Sequence, residues 1–232
     1  MALPNLNSEP KFRITIPSTG KQTRFRPFLV KEEKVLLLAM ESKDEKQILD
    51  AVGDTIVSCL EEPVDRDKLT SFDLEFMFTK IRAKSVGEVA TVGVECGSCK
   101  HTNEVGINVD DIKLPVKKTD MKIVITEDYT LEMKWPTLGD IAKMPTETST
   151  ENMLSMLRVA MVALHTPEER IDLSEYSDAE IESFIESMNT TQFGKIRAFM
   201  DNVPSLKHEV EFSCSKCGEH NVRTLEGMQS FF

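Results

Sequence analysis

The sequence predicts an α+β fold in which antiparallel β-hairpins are combined with two helical layers. Apolar and polar residues alternate around 12–16, 89–94, 102–109 and 207–213, which is the period of a half-buried strand. Across 31–84, and again after 136, apolar residues recur at the spacing of a helix. With 232 residues, of which 40% are hydrophobic, the chain is long enough to form buried cores.

The amino-terminal part is predicted to form a β-hairpin at 1–30 and a helical segment at 31–86. In the hairpin, Phe12 and Ile14 alternate with polar residues before a turn at 18–20, and Thr23 and Phe25 alternate in the returning strand. Helical spacing then predicts three helices, at 31–42, 44–60 and 71–84.

A β-rich region is predicted at 87–135 and 205–232, interrupted by a helical insertion at 136–204. Two pairs in the insertion have the spacing of capping boxes, Thr148 with Glu151 and Ser177 with Glu180, and we expect a helix after each. The apolar run 153–164 is predicted to belong to the first of these helices. A last helix at 191–201 is expected to end before Pro204.

Four of the five cysteines form two Cys-x-x-Cys motifs, and each motif lies between two predicted strands. Two cysteines separated by two residues can direct both thiolates at one metal ion, and a closed structural site takes about four such ligands. We therefore expect the two hairpins to share one ion and form a split zinc ribbon. The predicted ligands of this structural zinc are Cys96, Cys99, Cys214 and Cys217.

Other interpretations of the cysteines and histidines stay open at this stage. His101 and His220 follow the two motifs and are alternative or additional ligands. Redox chemistry would favour a Cys-x-x-Cys at the start of a helix, whereas both motifs lie between strands. Cys59 lies on the apolar face of a predicted helix and is expected to be a buried thiol.

Composition and motifs narrow the possible functions. The formal net charge of -11 disfavours nucleic-acid binding, although Lys100, Lys216 and Arg223 lie near the cysteines and keep a zinc-ribbon nucleic-acid-binding module as an alternative. No stretch approaches the ~20 apolar residues of a membrane span, and no signal peptide is recognisable at the start, so we expect a cytoplasmic product without a membrane partner. No catalytic motif is found, so no enzyme activity and no catalytic residue are predicted.

A basic segment, Phe25-Arg-Pro-Phe28, enters a predicted helix that begins Lys31-Glu-Glu-Lys34, and a later strand leads into a Cys-x-x-Cys. In these features, and in length and order of elements, the chain resembles the baseplate hub and hub-assembly proteins of T-even type contractile-tailed bacteriophages. The resemblance implies a structural or assembly role in the tail baseplate of the virion, without enzyme activity. It implies other phage baseplate or hub proteins as partners and synthesis in the host cytoplasm. An assembly chaperone that is not retained in the virion is an alternative.

Three surfaces are candidates for contacts with partners. The amino-terminal hairpin is basic, the segment 168–186 has eight acidic residues and one basic residue, and the chain ends in Phe231 and Phe232. Because the first two surfaces have opposite charges, the acidic segment is expected to complement either the basic hairpin of a neighbouring copy, in a homo-oligomer, or another subunit.

Overall fold

The structure, a computed structural model, describes residues 10–115, 120–144 and 149–227 and confirms the α+β prediction. These residues divide into two units. The first unit comprises 10–66, 72–115 and 205–227, and the second comprises 67–71, 120–144 and 149–204. Most of the second unit therefore lies, in the sequence, between the two cysteine motifs.

The first unit begins with the predicted hairpin, formed by β1 (Phe12–Thr15) and β2 (Gln22–Phe25). Ile14 and Phe25 are buried, whereas Arg13 and Arg24, each next to one of them in the sequence, are exposed, so alternate residues of each strand lie on opposite faces of the hairpin. Several of the basic side chains of the segment 1–30, Arg26 with Glu32 among them, are paired within the chain. The Nζ of Lys11 lies 2.5 Å from Glu61, and the Nζ of Lys21 lies 3.0 Å from Glu62.

Three helices follow as predicted: α1 (Val30–Ser42), α2 (Glu45–Cys59) and α3 (Ser71–Ser85). The carboxylate of Asp44 accepts hydrogen bonds from two backbone N–H groups of the first turn of α2, which fixes the start of that helix. In α3, Leu74, Met77 and Ile81 are at most 1% exposed, so their helical spacing marks a face buried in the core.

Helix α1 leaves most of its apolar residues exposed to solvent. Residues 35–40 are consecutive and apolar, so they surround the helix and cannot all face α2. The exposed fractions are 79% for Val30, 49% for Val35, 56% for Leu37, 57% for Leu38 and 54% for Met40. The helical spacing in this segment predicts the helix correctly, but neighbouring elements cover only part of its apolar surface.

Two long hairpins complete the first unit. One is formed by β3 (Val89–Glu95) and β4 (Thr102–Asn108), and the other by β9 (Lys207–Ser213) and β10 (His220–Glu226). A single cluster of buried residues includes Val92 and Ile107 from the first hairpin and Val210 from the second. The two hairpins therefore share a core, which brings their tips together.

The second unit contains a four-stranded antiparallel sheet and four helices. The strands, in their order across the sheet, are β5 (Lys122–Val124), β6 (Thr130–Met133), β7 (Met161–His165) and β8 (Arg170–Asp172). The helices are α4 (Leu138–Ala142), α5 (Ser149–Ala160), α6 (Asp178–Glu186) and α7 (Thr190–Met200). Leu131, Leu157 and Ile196 join sheet and helices in one buried cluster.

The prediction that the apolar run 153–164 is helical throughout is wrong at its carboxyl end. Helix α5 ends at Ala160, and Met161 begins strand β7. Strand β7 is an inner strand between β6 and β8, with Leu164 opposite Leu131 on one side and Ile171 on the other. Every residue of β7 is buried or half-buried, and a strand covered on both faces can be apolar without alternation, so its residues look like a continuation of the helix in the sequence.

The capping box of Ser177 and Glu180 is confirmed at the start of α6. The box predicted at Thr148 lies outside the described residues, as do Phe231 and Phe232. Among the helices that the structure describes, none is both long and apolar enough to cross a membrane.

Candidate metal centre

Each Cys-x-x-Cys forms the tight turn at the tip of one long hairpin. In the first turn, the N–H of Cys96 donates to the carbonyl of His101 at 2.9 Å, and the N–H of Lys100 donates to the carbonyl of Cys96 at 3.1 Å. These two bonds close the turn and place the first cysteine at the end of β3. The turn therefore directs both of its cysteines to one side.

The second turn repeats these bonds at equivalent positions. The N–H of Cys214 donates to the carbonyl of Glu219 at 2.8 Å, and the N–H of Gly218 donates to the carbonyl of Cys214 at 2.9 Å. Gly218 and its counterpart Lys100 both have positive φ, at 74° and 58°. The left-handed conformation is easy for glycine, whereas in lysine it is uncommon, so the shared conformation reflects a requirement of the turn itself.

The four sulfur atoms converge at the junction of the two tips. All of them lie within 4.8 Å of one another. Across the junction, Cys96 Sγ lies 3.7 Å from Cys217 Sγ, and Cys99 Sγ lies 3.6 Å from Cys214 Sγ. Four sulfurs arranged tetrahedrally at ~2.3 Å from a zinc ion are ~3.8 Å apart, whereas a disulfide bond is ~2.05 Å long. The spacing fits ligands around a metal ion rather than disulfides.

Burial of the sulfur ligands differs between the four positions. Cys96 and Cys214, the first cysteines of the two motifs, are buried, Cys99 is half-buried and Cys217 is exposed. A set of four thiolate ligands satisfies the coordination of a tetrahedral site without a bound water, which is the arrangement of structural rather than catalytic sites. The four cysteines could therefore bind a metal ion that prefers sulfur.

Hydrogen bonds lower the pKa of the first cysteine in each turn. For Cys96, the backbone N–H of Cys99 has the largest effect on the pKa. For Cys214, burial raises the pKa, but backbone N–H groups of its own turn and the Asn103 amide outweigh burial and lower the pKa to about 6. Both turns thus stabilise a thiolate, which is the form that binds a metal.

The pKa of Cys217 is raised rather than lowered, because the other three sulfurs lie close to it. The N–H of Glu219 lowers the pKa of Cys217, but the neighbouring thiols of Cys99, Cys214 and Cys96 raise it to about 12. Negative sulfurs this close together repel one another, so the fourth proton is hard to remove in the absence of a cation. A divalent ion at the centre would supply the missing positive charge.

Neither histidine belongs to the group of converging ligands. His101 and His220 are exposed, and the group found among the described residues consists of the four cysteines. Cys59 is 2% exposed at the end of α2, as expected for a core thiol.

Comparison with known families gives one match. A family model described as T4 bacteriophage base plate protein matches residues 9–232. The chain belongs to this family. The resemblance to T-even type baseplate proteins is thereby confirmed, and membership implies a structural or assembly role in the tail baseplate and contacts with other baseplate proteins. Neither the comparison with curated proteins nor that with solved structures gave a match.

Two asparagines in this baseplate protein were missed by the sequence analysis. Asn103 and Asn221 are each 6% exposed, and each lies beside the sulfur of a cysteine from the opposite hairpin. The signal was present in the sequence, because each asparagine follows the first cysteine of its own motif by seven positions. An alignment of the two motifs with each other would have found them.

Proposed function

We propose that this protein is a structural or assembly protein of the hub at the centre of a contractile phage tail baseplate. The family match over residues 9–232 carries the proposal. The protein acts through contacts with other baseplate or hub proteins, without enzymatic activity. It is made in the host cytoplasm and becomes part of the virion.

The metal in this proposal is one structural zinc ion held by the four cysteines. Support comes from the sulfur spacing of 3.6 and 3.7 Å across the junction, and from the all-sulfur donor set. Most of the second unit lies between the two motifs in the sequence. The ion would therefore cross-link two hairpins that are far apart along the chain. Such a cross-link stabilises a small pair of hairpins that shares only a modest core.

The apolar face of α1 is the contact surface that we propose for another baseplate protein. The face comprises Val30, Val35, Leu37, Leu38 and Met40, all about half-exposed or more. Contiguous exposed apolar side chains are typical of interaction sites, because covering them removes unfavourable contact with water. The family implies such partners, and α1 offers them this set of exposed apolar side chains on one helix.

The baseplate role can be tested with tail particles and infected-cell extracts. An antibody against the protein should detect it in purified tails, and pull-down from extracts should recover other baseplate proteins. Recovery of the partners together with absence from finished tails would indicate an assembly factor instead. Absence from tails together with failure to recover any baseplate protein would contradict the proposal. Sedimentation of the purified protein tests the expected homo-oligomer.

The surface on α1 can be tested by adding charge to it. Leu37→Glu with Leu38→Glu should abolish recovery of partners without loss of folding, because both side chains are already exposed. Lys34→Glu is the matched control, since it adds a carboxylate to an exposed position of the same helix. Unchanged recovery with the double variant would exclude α1 as the contact surface.

A further inference from the structure

We infer that Asn103 and Asn221 are positioning residues that clamp the two cysteine turns onto each other and orient their sulfurs toward the metal. The inference rests on the proposed metal site and adds two residues to it. Neither asparagine is a ligand. Each acts on the cysteine turn of the other hairpin, so the two form a reciprocal pair.

The first half of the clamp runs from the first long hairpin to the second. The Oδ1 of Asn103, in β4, accepts a hydrogen bond from the N–H of Ser215 at 2.8 Å. Its Nδ2 donates to the sulfur of Cys214 at 3.7 Å and to the carbonyl of His101 at 3.0 Å. One amide therefore joins its own turn to the opposite backbone and the opposite sulfur.

The second half repeats this arrangement in the reverse direction. The Oδ1 of Asn221, in β10, accepts from the N–H of Gly97 at 2.9 Å. Its Nδ2 donates to the sulfur of Cys96 at 3.5 Å and to the carbonyl of Glu219 at 2.8 Å. Each bond has its counterpart in the first half, with the acceptor or donor at the equivalent position of the other turn.

The chemistry requires an amide at both positions. The carboxamide oxygen accepts from a backbone N–H while the NH₂ group donates to a sulfur, and asparagine is a short side chain that does both. Aspartate would keep the acceptor but lose the donor, and it would place a negative charge beside a thiolate. Because both asparagines are buried, water cannot replace a lost partner without opening the junction.

A purely local role in each hairpin does not account for the geometry. The bonds to His101 and Glu219 are local, whereas the bonds to Ser215 and Gly97 cross from one hairpin to the other. The crossing bonds connect to the residue directly after the first cysteine of each turn. They therefore fix the position of that cysteine relative to the opposite hairpin before a metal binds. As a result, less conformational entropy is lost when the metal binds.

The test compares zinc affinity in matched amide-to-carboxylate variants. Asn103→Asp and Asn221→Asp should each weaken zinc binding by ~10–100-fold, the usual effect of removing an outer-shell partner of a metal ligand. Asn108→Asp is the control, because Asn108 is exposed at the end of β4 and its side chain accepts a bond from the N–H of Asp110, which a carboxylate can also accept. Affinity is measured by competition with a chelator of known affinity, and folding by circular dichroism.

The outcomes separate the clamp from the metal site itself. If the wild-type protein binds no zinc, the proposed metal site fails. If the wild type binds zinc and both aspartate variants bind it as tightly as Asn108→Asp does, the site stands and the clamp is overturned. Similar losses at Asn103 and Asn221 support the reciprocal arrangement.

A second measurement on the unmodified protein covers the case in which the variants do not fold. Amide hydrogen exchange of the zinc-loaded wild type should show slow exchange at Gly97 and Ser215, because each N–H is held by an asparagine of the other hairpin. Exchange at the rate of an unprotected amide at these two positions would overturn the clamp.

Discussion

Replacing Cys214 by serine removes one of four sulfur ligands with little change in volume. Structural zinc sites in small domains bind with apparent free energies of ~10–16 kcal/mol, so one ligand in four corresponds to roughly 3 kcal/mol, or about 100-fold in affinity. The serine hydroxyl does not ionise at neutral pH and cannot replace the thiolate, whose pKa in this turn is lowered to about 6. We therefore expect zinc affinity to fall by about 100-fold or more.

Cys59→Ser is the matched control, since it makes the same substitution at a cysteine that is also buried but lies outside the cluster. It should cost about 1–3 kcal/mol of stability by burying a hydroxyl in the core, and it should leave zinc affinity unchanged. Both variants are assayed by chelator competition, and by thermal unfolding with and without added zinc. Equal zinc affinity for Cys214→Ser and the wild type would refute the reasoning.

Two further predictions concern residues outside the sulfur cluster. His101→Asn and His220→Asn, each made singly, should retain the zinc affinity of the wild type. A tenfold or larger loss of zinc affinity in either variant would show that the replaced histidine is a ligand. Burial raises the pKa of Glu32, but Arg26 at 2.9 Å and the N–H of Leu29 outweigh it, so the folded pKa lies below the ordinary 4.5. Glu32→Gln should lower the free energy of unfolding by about 1 kcal/mol at pH 7. In urea unfolding, this difference from the wild type should vanish as the pH falls below 4.5 and through the folded pKa of Glu32. A difference in stability that does not depend on pH would contradict this.

The hairpins and the cysteine cluster could be predicted because their signals are local. Alternation of apolar residues marks a strand with one buried face, and it placed β9 at Lys207–Ser213. Two Cys-x-x-Cys turns of the same type need a shared partner to complete four ligands, so their meeting could be inferred without knowing the path of the chain between them.

Other features depend on tertiary contacts that a local pattern does not contain. The change from α5 to β7 at Met161 is set by pairing with strands on both sides, so an apolar run alone cannot show it. The exposure of Leu37 and Leu38 depends on how much of α1 its neighbours cover, whereas helical spacing shows only that the segment is apolar. The equivalent positions of Asn103 and Asn221 in the two motifs can be read from the sequence, but their bonds to the opposite hairpin cannot.

The most direct test of the metal centre is zinc K-edge X-ray absorption on the purified baseplate protein, together with metal analysis. We expect one zinc ion per chain with four sulfur neighbours at ~2.3 Å. A folded protein without zinc, or a zinc ion with nitrogen or oxygen neighbours at ~2.0–2.2 Å, would contradict the four-cysteine site.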